Sequence, residues 1–371
     1  MLKSKRKRVL NFLWVNNMKI AILNDTHCGV RNSSDIFVEY QEKFYDEVFF
    51  PYLLENDIKQ IIHLGDYYDH RKYINFKALN SNRHSFLDKL KEYGITMDII
   101  PGNHDVYYKN TNELCSLKEL MGFYTNNVNI VMKPRVMDYD GLRIALIPWI
   151  NNSNYAETMK FIKTCDADWV GAHLELNGFE MMKGVLNTHG MEPDAFKRFE
   201  VVLTGHFHTK STRDNVRYLG SQMEFTWADA GDKKCFHVID TETRDITLVH
   251  NPLTMFEKIL YDDKKMDYNS QYDVSNLKDK FVKVVVVNKS DPYLFDTFID
   301  KIQNAEVHEL KIAETFNEFI GENVDDDSIS VEDTTELLDS YIDAVDTELD
   351  KDRMKVFMRE VYVEACNEEI V

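Results

Sequence analysis

One pattern recurs from residue 18 to residue 207: a short apolar run, rich in β-branched residues, ends at a polar cluster. Such runs are typical of buried strands, and apolar residues at helical spacing in 36–54 and 76–93 predict crossover helices. The pattern predicts a layered α/β domain whose polar clusters meet at the carboxyl ends of its strands. Strands are predicted in MKIAILND, IKQIIHLGD, TMDIIPGN, LRIALIPW, DWVGAHLE and VVLTGHF.

The chain has 371 residues, 44% of them hydrophobic, which is enough for one large domain with one or two smaller pieces. No apolar run reaches the roughly 18 residues that a membrane-spanning helix needs, so we expect a soluble protein. The five cysteines are scattered and form no Cys-x-x-Cys pair. This spacing favours reduced thiols in a cytoplasm over a zinc or redox site.

Residues 1–17 combine a basic start with a short apolar stretch, as signal peptides do. Asn11 interrupts the apolar stretch, however, and no small-residue cleavage site follows it. Met18 stands directly before the first predicted strand. We therefore interpret 1–17 as a basic N-terminal extension that is either a disordered arm or not translated.

The pattern changes after the main domain, which we place at 18–253. Beyond it, a β-branched run at 280–288, an amphipathic stretch at 292–305 and an apolar run at 307–314 follow one another. This order predicts a small α+β capping domain, which we place at 254–320.

The last part of the chain is predicted to be a linker followed by helices. Residues 321–333 are acidic and nearly free of large apolar side chains, which is typical of a linker. Residues 334–371 carry two apolar stripes at helical spacing, and Asp350 can cap the second helix. Such helices can pack on their own chain or on another protein, and the linker before them favours docking of a partner.

Charge does not decide whether nucleic acid is a partner. The net charge is −19, but the segment 321–371 alone has 17 acidic and 4 basic residues, so it carries most of the excess. The remainder can present local basic patches, and divalent cations would offset carboxylates in a site. The charge neither supports nor excludes DNA binding.

The first two polar clusters contain a possible chelate and a possible bridge. Asp25 and His27 alternate on an extended segment, so both side chains can face one ion, although a lone Asp-x-His match is common by chance. Asp66 follows Gly65, and glycine lets the backbone approach closely enough for a carboxylate to bridge two cations.

The other three clusters add an amide and further imidazoles. Asn103, His104 and Asp105 follow one another at a strand end and are poor turn residues. His173 alone is more often a hydrogen-bonded core histidine than a ligand. His206 and His208 repeat the alternation of the first cluster. Each match is weak, but five at successive strand ends are not explained by packing.

This donor set suits two cations that share a bridging carboxylate. Such a pair needs one bridge, several neutral donors and room for water and phosphate, and it activates water while neutralising the phosphate oxygens. Asp66 is the natural bridge. Mixed His, Asp and Asn donors without cysteine favour manganese or iron over a thiolate zinc site. His104 is the candidate acid that protonates the leaving alkoxide, with Asp105 orienting its ring.

The five motifs together resemble the calcineurin-like metallophosphoesterase superfamily. The segments GNHDVYYKN, HLELNGF, GHFHT and VRYLGS resemble its SbcD-type, or meiotic-recombination, nuclease branch, and within it the recombination nuclease subunits of T-even phages. The resemblance covers 18 to the C-terminus. It implies an α/β sandwich with two Mn²⁺ ions, Mg²⁺ or iron being alternatives. One ion would be held by Asp25, His27, Asp66 and His208, and the other by Asp66, Asn103, His173 and His206, with His104 as the proton donor.

The resemblance also implies a biological role. It implies a 3′-to-5′ exonuclease on duplex DNA and an endonuclease on single strands, in double-strand-break repair, recombination and recombination-dependent replication. A homodimer would join an SMC-like ABC ATPase of SbcC type in a heterotetramer, through the C-terminal helices. One departure stands out: many cellular relatives carry a substrate-contacting histidine where this chain has Asp69.

Two alternatives remain from the residues alone. A phosphatase or cyclic-nucleotide phosphodiesterase would share the metal site, but such phosphatases usually carry Asp-Arg-Gly after the second motif, whereas here His70 follows Asp69. A scaffold that only regulates an ATPase is disfavoured because every ligand position holds a suitable donor. Arg71 and Lys109 follow motifs at the predicted rim, where solvated charge is a better interpretation than phosphate contact.

Overall fold

The computed structural model describes residues 18–182, 185–313, 342, 350–351 and 353–358. The predicted extension at 1–17 and linker at 321–333 lie outside these residues, as does most of 334–371. Within the described part of the C-terminal segment, 353–358 are helical, and the Asp350 carboxylate accepts a hydrogen bond from the Arg353 amide at 3.2 Å. The predicted capping role of Asp350 is therefore confirmed.

The strands and helices alternate along most of the described chain. The strands are β1 (Lys19–Leu23), β2 (Gln60–His63), β3 (Thr96–Ile99), β4 (Val106–Tyr108), β5 (Thr111–Cys115), β6 (Val128–Ile130), β7 (Arg135–Tyr139), β8 (Leu142–Ile147), β9 (Trp169–His173), β10 (Glu180–Met182), β11 (Val185–Leu186), β12 (Val201–Gly205), β13 (Ser211–Arg213), β14 (Val216–Tyr218), β15 (Cys235–Asp240), β16 (Ile246–His250), β17 (Phe256–Asp262), β18 (Phe281–Asn288) and β19 (Glu309–Ala313). The α-helices are α1 (Val30–Ser33), α2 (Asp35–Lys43), α3 (Phe50–Glu55), α4 (Phe76–Asn82), α5 (Asp88–Tyr93), α6 (Ser116–Met121), α7 (Tyr155–Thr164), α8 (Tyr268–Gln271) and α9 (Pro292–Gln303).

The predicted crossover helices are present, each with a wider turn inside. The π-helical turn Phe44–Phe49 joins α2 to α3, and Arg83–Leu87 joins α4 to α5. Both turns bury aromatic or aliphatic side chains against the first sheet. Each predicted helix is thus one continuous helical segment with one locally wider turn.

Two six-stranded sheets pack face to face. The first has the order β16-β15-β1-β2-β3-β6, and the second has the order β13-β14-β12-β9-β8-β7. In the first sheet β1, β2, β3 and β6 are parallel, and in the second β8, β9, β12 and β14 are parallel. The central strands therefore all place their carboxyl ends at one edge of their sheet.

The core between the sheets follows from the alternation of side chains along β1. Ile20 and Ile22 join a buried cluster with Ile144 and Leu203 of the second sheet. Ala21 points the other way, into a cluster with the aromatic residues of α2, α3 and the turns between helices. Helix α7 covers the far face of the second sheet. The arrangement is α/β/β/α, so the predicted layered sandwich is confirmed.

A third, three-stranded parallel sheet follows, in the order β17-β18-β19, with a separate apolar core. Its strands β18 and β19 and its helix α9 match the predicted strand, helix and strand. The additional strand is β17, which sequence reasoning had not assigned. The boundaries proposed for this capping domain, 254–320, remain a prediction.

Glu224, in the segment between β14 and β15, binds the start of β17. Its buried carboxylate accepts hydrogen bonds from the amides of Met255 and Phe256, at 2.6 and 3.0 Å. Burial raises the pKa of Glu224 to about 7, although the two amides oppose the rise.

Among the described residues, no helix combines the length and the apolar character required to span a membrane.

Candidate metal centre

All five polar motifs lie at the same edge of the sandwich. The register pairs Leu23 with His63 and His63 with Ile99, so the loops after β1, β2 and β3 begin side by side. In the second sheet Gly205 pairs with His173. The loops after β9 and β12 are therefore also neighbours, and the two sets of loops face each other.

Four of the predicted ligands have left-handed backbone conformations. The φ angles are 47° at Asp25, 44° at His27, 53° at Asp66 and 96° at His206. Each such residue costs about 1–3 kcal/mol unless its surroundings enforce it. Here the His27 amide donates to the Asp66 carbonyl at 3.1 Å, and the Asp25 amide donates to the Gly65 carbonyl at 2.9 Å. These hydrogen bonds between the loops after β1 and β2 stabilise the left-handed conformations.

One group of donors consists of Asp25, His27 and His208. Their ligand atoms all lie within 4.8 Å of one another. The Nε2 atoms of His27 and His208 are 3.1 Å apart, and the Asp25 carboxylate, fully buried, accepts from the His206 amide at 3.1 Å. Two ring nitrogens and a carboxylate directed to one point could hold a divalent cation.

A second group consists of Asp66, Asn103, His173 and His206. The Asn103 Oδ1 atom lies 3.0 Å from His173 Nε2 and 2.9 Å from His206 Nδ1. His173 Nε2 is also 3.2 Å from Asp66 Oδ2. The Nδ1 atom of His173 donates to the Leu64 carbonyl at 2.8 Å, which fixes the ring and leaves Nε2 directed into the group.

Two glycines allow Asp66 to sit where it does. A Cβ atom on Gly102 would clash with Asp66 Oδ1 and would lie 2.5 Å from the Asp66 amide nitrogen. A Cβ atom on Gly65, whose φ is 92°, would lie 2.6 Å from the Gly102 amide nitrogen. The loops after β2 and β3 can pass this closely only without side chains at both positions.

The prediction that Asp105 orients the His104 ring is wrong. The Asp105 carboxylate turns inward and accepts hydrogen bonds from the amides of Tyr67, Tyr68 and Gly102, at 3.0, 3.1 and 2.9 Å. Burial raises its pKa to about 7, with the charge of Asp66 adding to the rise. Asp105 therefore holds the loops after β2 and β3 together through their backbone amides.

The backbone of Asp69 takes the place that Asp105 was expected to fill. His104 Nδ1 donates to the Asp69 carbonyl at 2.5 Å, since a carbonyl can only accept. The His104 amide donates to Asp66 Oδ1 at 2.8 Å. These two contacts leave Nε2 as the nitrogen of His104 that can exchange a proton.

The Asp69 side chain contacts a proposed ligand. Its Oδ1 atom lies 3.0 Å from His27 Nδ1, and its Oδ2 atom lies 3.7 Å from His70 Nε2. Burial opposes a charge on either partner, but the hydrogen bond to Asp69 raises the pKa of His27 to about 9. Asp69, the position at which this chain departs from the pattern that the resemblance implies, thus orients the imidazole of a proposed ligand.

Protons are distributed unevenly over the four imidazoles of the two donor groups. Burial favours neutral rings, yet the carboxylates beside His27 and His173 raise the pKa of each to about 9. Burial and the neighbouring imidazolium charges lower the pKa of His206 and bring that of His208 to about 4. A cation that binds here must displace protons, so acid weakens metal binding.

Sequence reasoning missed the support behind His208. Lys234, only 2% exposed, donates to the His208 carbonyl at 3.0 Å and forms ion pairs with Asp229 at 2.6 Å and Asp232 at 3.2 Å. The Phe225 ring packs edge-on at 5.7 Å from the ring of His208. In the sequence this lysine stands in a polar run, which gave no signal that it is buried.

The comparisons with known proteins agree with this geometry. The sequence model of the family described as calcineurin-like phosphoesterase matches residues 18–308, which contain all five motifs. Over 353 residues the chain is 34% identical to a protein of Enterobacteria phage T4 named Exonuclease subunit 1. That match covers 94% of this chain and 99% of the phage protein.

Two solved structures are also similar at low identity. One is a novel archaeal phosphodiesterase, with 15% identity, a TM-score of 0.32 and coverage of 63% of this chain and 100% of that chain. The other is the Pseudomonas putida nuclease MPE, with 17% identity, a TM-score of 0.31 and coverage of 62% and 87% respectively.

Proposed function

We propose that this chain, which belongs to the calcineurin-like phosphoesterase family, is the nuclease subunit of a DNA-processing complex. Membership in the family makes it a phosphoesterase. The observation that carries the nuclease assignment is the 34% identity to the phage exonuclease subunit across nearly the whole of both chains. We propose 3′-to-5′ exonuclease activity on duplex DNA and endonuclease activity on single strands.

Two Mn²⁺ ions are the proposed cofactors, with Mg²⁺ or iron as alternatives. The fit is chemical: seven oxygen and nitrogen donors converge without a thiolate, and several stand within hydrogen-bond distance of one another. When bound, two such ions supply a nucleophilic water and neutralise charge on the phosphate. We assign Asp25, His27 and His208 to one ion, Asn103, His173 and His206 to the other, and Asp66 to both.

The protein's own groups would then complete the reaction. His104 holds a proton on Nε2 for the departing alkoxide, because Nδ1 is fixed on the Asp69 carbonyl. The His104 amide donates to the Asp66 carboxylate, so this hydrogen bond fixes the position of the proton donor relative to the proposed bridge. Asp105 keeps both loops in register through their amides.

A partner ATPase is proposed for the C-terminal segment, 334–371. The relative in phage T4 is named a subunit, which supports an assembly. In the described part of the segment, Val356 and Phe357 are 47% and 61% exposed on a helix. We propose an SMC-like ABC ATPase of SbcC type as partner, a homodimer within a heterotetramer, action in break repair, recombination and recombination-dependent replication, and a cytoplasmic location.

A phosphoprotein phosphatase or cyclic-nucleotide phosphodiesterase is the second candidate. The sequence disfavours it, because phosphatases of this superfamily usually carry an Asp-Arg-Gly triplet after the second motif and Asp69 alone matches that triplet. His70 and Arg71 follow here, so the triplet is not completed. The metal centre itself would serve either substrate class.

One comparison of substrates tests the proposal. Purified protein with Mn²⁺ should release nucleotides from linear duplex DNA and cut single strands, and should turn over phosphopeptide and cyclic nucleotide far more slowly. His104→Ala should lose about 10²- to 10⁴-fold in rate while still binding two Mn²⁺ ions. His84→Ala, at an exposed surface position, should match wild type. Full activity of His104→Ala, or preferential turnover of phosphopeptide, would overturn the assignment.

The partner is tested separately by truncation. A chain that lacks 331–371 should fail to copurify with the co-expressed ATPase, yet still cut short single strands with Mn²⁺. Copurification of the truncated chain would show that another surface binds the ATPase.

A further inference from the structure

The loop that follows the second motif carries aromatic side chains into solvent beside the metal centre. Tyr73 is 60% exposed, and Phe76, three positions further on and the first residue of α4, is 84% exposed. Exposure of two large rings so close together is unusual, because burial of such a side chain is worth about 1.5–3 kcal/mol. Neither ring belongs to a hydrophobic core of the described residues.

The Tyr73 ring is held in place by His70. The two rings stack with centroids 4.3 Å apart and planes 24° apart, and the Tyr73 hydroxyl lies 3.3 Å from His70 Nε2. The imidazole covers one face of the phenol ring, while the exposure of Tyr73 leaves the other face to solvent. A ring fixed in this way loses little conformational entropy when a ligand stacks on it.

A short series of contacts connects this stack to the metal centre. His70 Nε2 lies 3.7 Å from Asp69 Oδ2, and Asp69 Oδ1 lies 3.0 Å from His27 Nδ1. The Asp69 carbonyl binds His104. A DNA strand with a phosphodiester at His104 would therefore bring a neighbouring nucleotide close to the open face of Tyr73.

The charges next to Tyr73 suit a polyanion. Arg71 and Lys72 directly precede the ring, and Lys72 is exposed. Proteins that bind single-stranded nucleic acid combine cationic side chains along the backbone with aromatic rings on which bases stack. A folded phosphoprotein would offer neither a regular row of phosphates nor a flat aromatic base next to each phosphate.

We propose that the stacked pair of His70 and Tyr73 is a base-stacking site, which binds an unpaired nucleobase of DNA adjacent to the phosphodiester in the metal centre. This inference rests on the proposed nuclease function and specifies its substrate as a strand with an unstacked base at the site. A duplex end would have to fray, or a single strand be present, for the base to reach Tyr73.

The magnitude follows from known stacking energies. One base on an aromatic side chain contributes about 1–3 kcal/mol, which corresponds to roughly 5- to 150-fold in affinity. Tyr73→Ala should raise both the Kd and the KM for a short single-stranded oligodeoxynucleotide by at least about fivefold. The kcat should stay within about twofold, because no proposed ligand or acid contacts the Tyr73 ring. Tyr73→Phe keeps the ring and should remain near wild type.

The experiment pairs the variant with abasic oligonucleotides. Kd is measured by fluorescence anisotropy, and KM by cleavage with Mn²⁺, on a series in which one nucleotide at a time lacks its base. Wild type should show one position where loss of the base weakens binding as much as Tyr73→Ala does. At that position the variant should lose nothing further, because the same contact is already absent.

Phe123→Ala is the matched control. Phe123 is 91% exposed and precedes β6, at the amino-terminal edge of the first sheet and therefore opposite the metal centre. It should bind and cut as wild type does. Unchanged Kd and KM in Tyr73→Ala, or an abasic penalty that persists in that variant, would overturn the stacking site while leaving the nuclease proposal intact. Failure of wild type to cut any DNA would overturn both.

Discussion

Asp69 should set the affinity of the first donor group for Mn²⁺. Its Oδ1 atom lies 3.0 Å from Nδ1 of His27, and this hydrogen bond keeps Nε2 turned toward His208. Asp69→Ala frees the imidazole to rotate and removes the neighbouring negative charge. Asp69→Asn keeps an acceptor oxygen at the same place but not the charge.

The expected magnitude comes from the role of this contact. Loss of a carboxylate that orients a metal-binding histidine typically costs about 10- to 100-fold in metal affinity, or roughly 1.4–2.7 kcal/mol. Asp69→Ala should fall within that range and Asp69→Asn near its lower end. The second donor group should keep its affinity, because His173 is fixed by the Leu64 carbonyl and not by Asp69.

Isothermal titration with Mn²⁺ at one fixed pH measures both sites. Wild type should bind two ions, and Asp69→Ala should show one site unchanged and one weakened. Asp35→Ala, which breaks an exposed ion pair with Lys77, controls for the loss of a surface carboxylate. Two sites of wild-type affinity in Asp69→Ala would refute the reasoning.

Three further changes test the scaffold. Lys234→Met leaves the buried Asp229 without its cation and should destabilise the fold by about 3–5 kcal/mol in urea unfolding; a loss below about 1 kcal/mol would contradict the proposed support of His208. Because burial raises the pKa of Glu224 from 4.5 to about 7, the folded chain retains a proton that the unfolded chain releases, and stability falls as pH rises through this window. Glu224→Gln should therefore raise Tm more at about pH 8 than at about pH 5, and an equal change at both would exclude this carboxyl as the cause. Gly102→Ala places a methyl group against Asp66 and should reduce the Mn²⁺ stoichiometry below two, whereas full loading would show that the loop yields easily.

The alternation of apolar runs and polar clusters was sufficient to predict the sandwich. Strands buried on both faces leave a strong signal, and the parallel strands β1, β2, β3, β8, β9 and β12 were all found within the predicted runs. The family resemblance inferred from the five motifs is also confirmed. The strands β15 and β16, which extend the first sheet antiparallel, were missed. β16 forms the edge of the sheet, where half-exposed side chains give a weaker pattern.

The site was predictable in its residue types but not in its supporting contacts. Strand ends placed Asp25, Asp66 and His173 together, because parallel strands share one carboxyl edge. The inward turn of Asp105 and the contact between Asp69 and His27 depend on left-handed backbone angles in the loops, which spacing does not encode.

Anomalous diffraction from crystals soaked in Mn²⁺ tests the central claim most directly. The account predicts two peaks: one among Asp25, His27 and His208, and one among Asn103, His173 and His206. Asp66 should contact both. A single peak, or two peaks of which Asp66 contacts only one, would contradict the assignment of this carboxylate as the bridge.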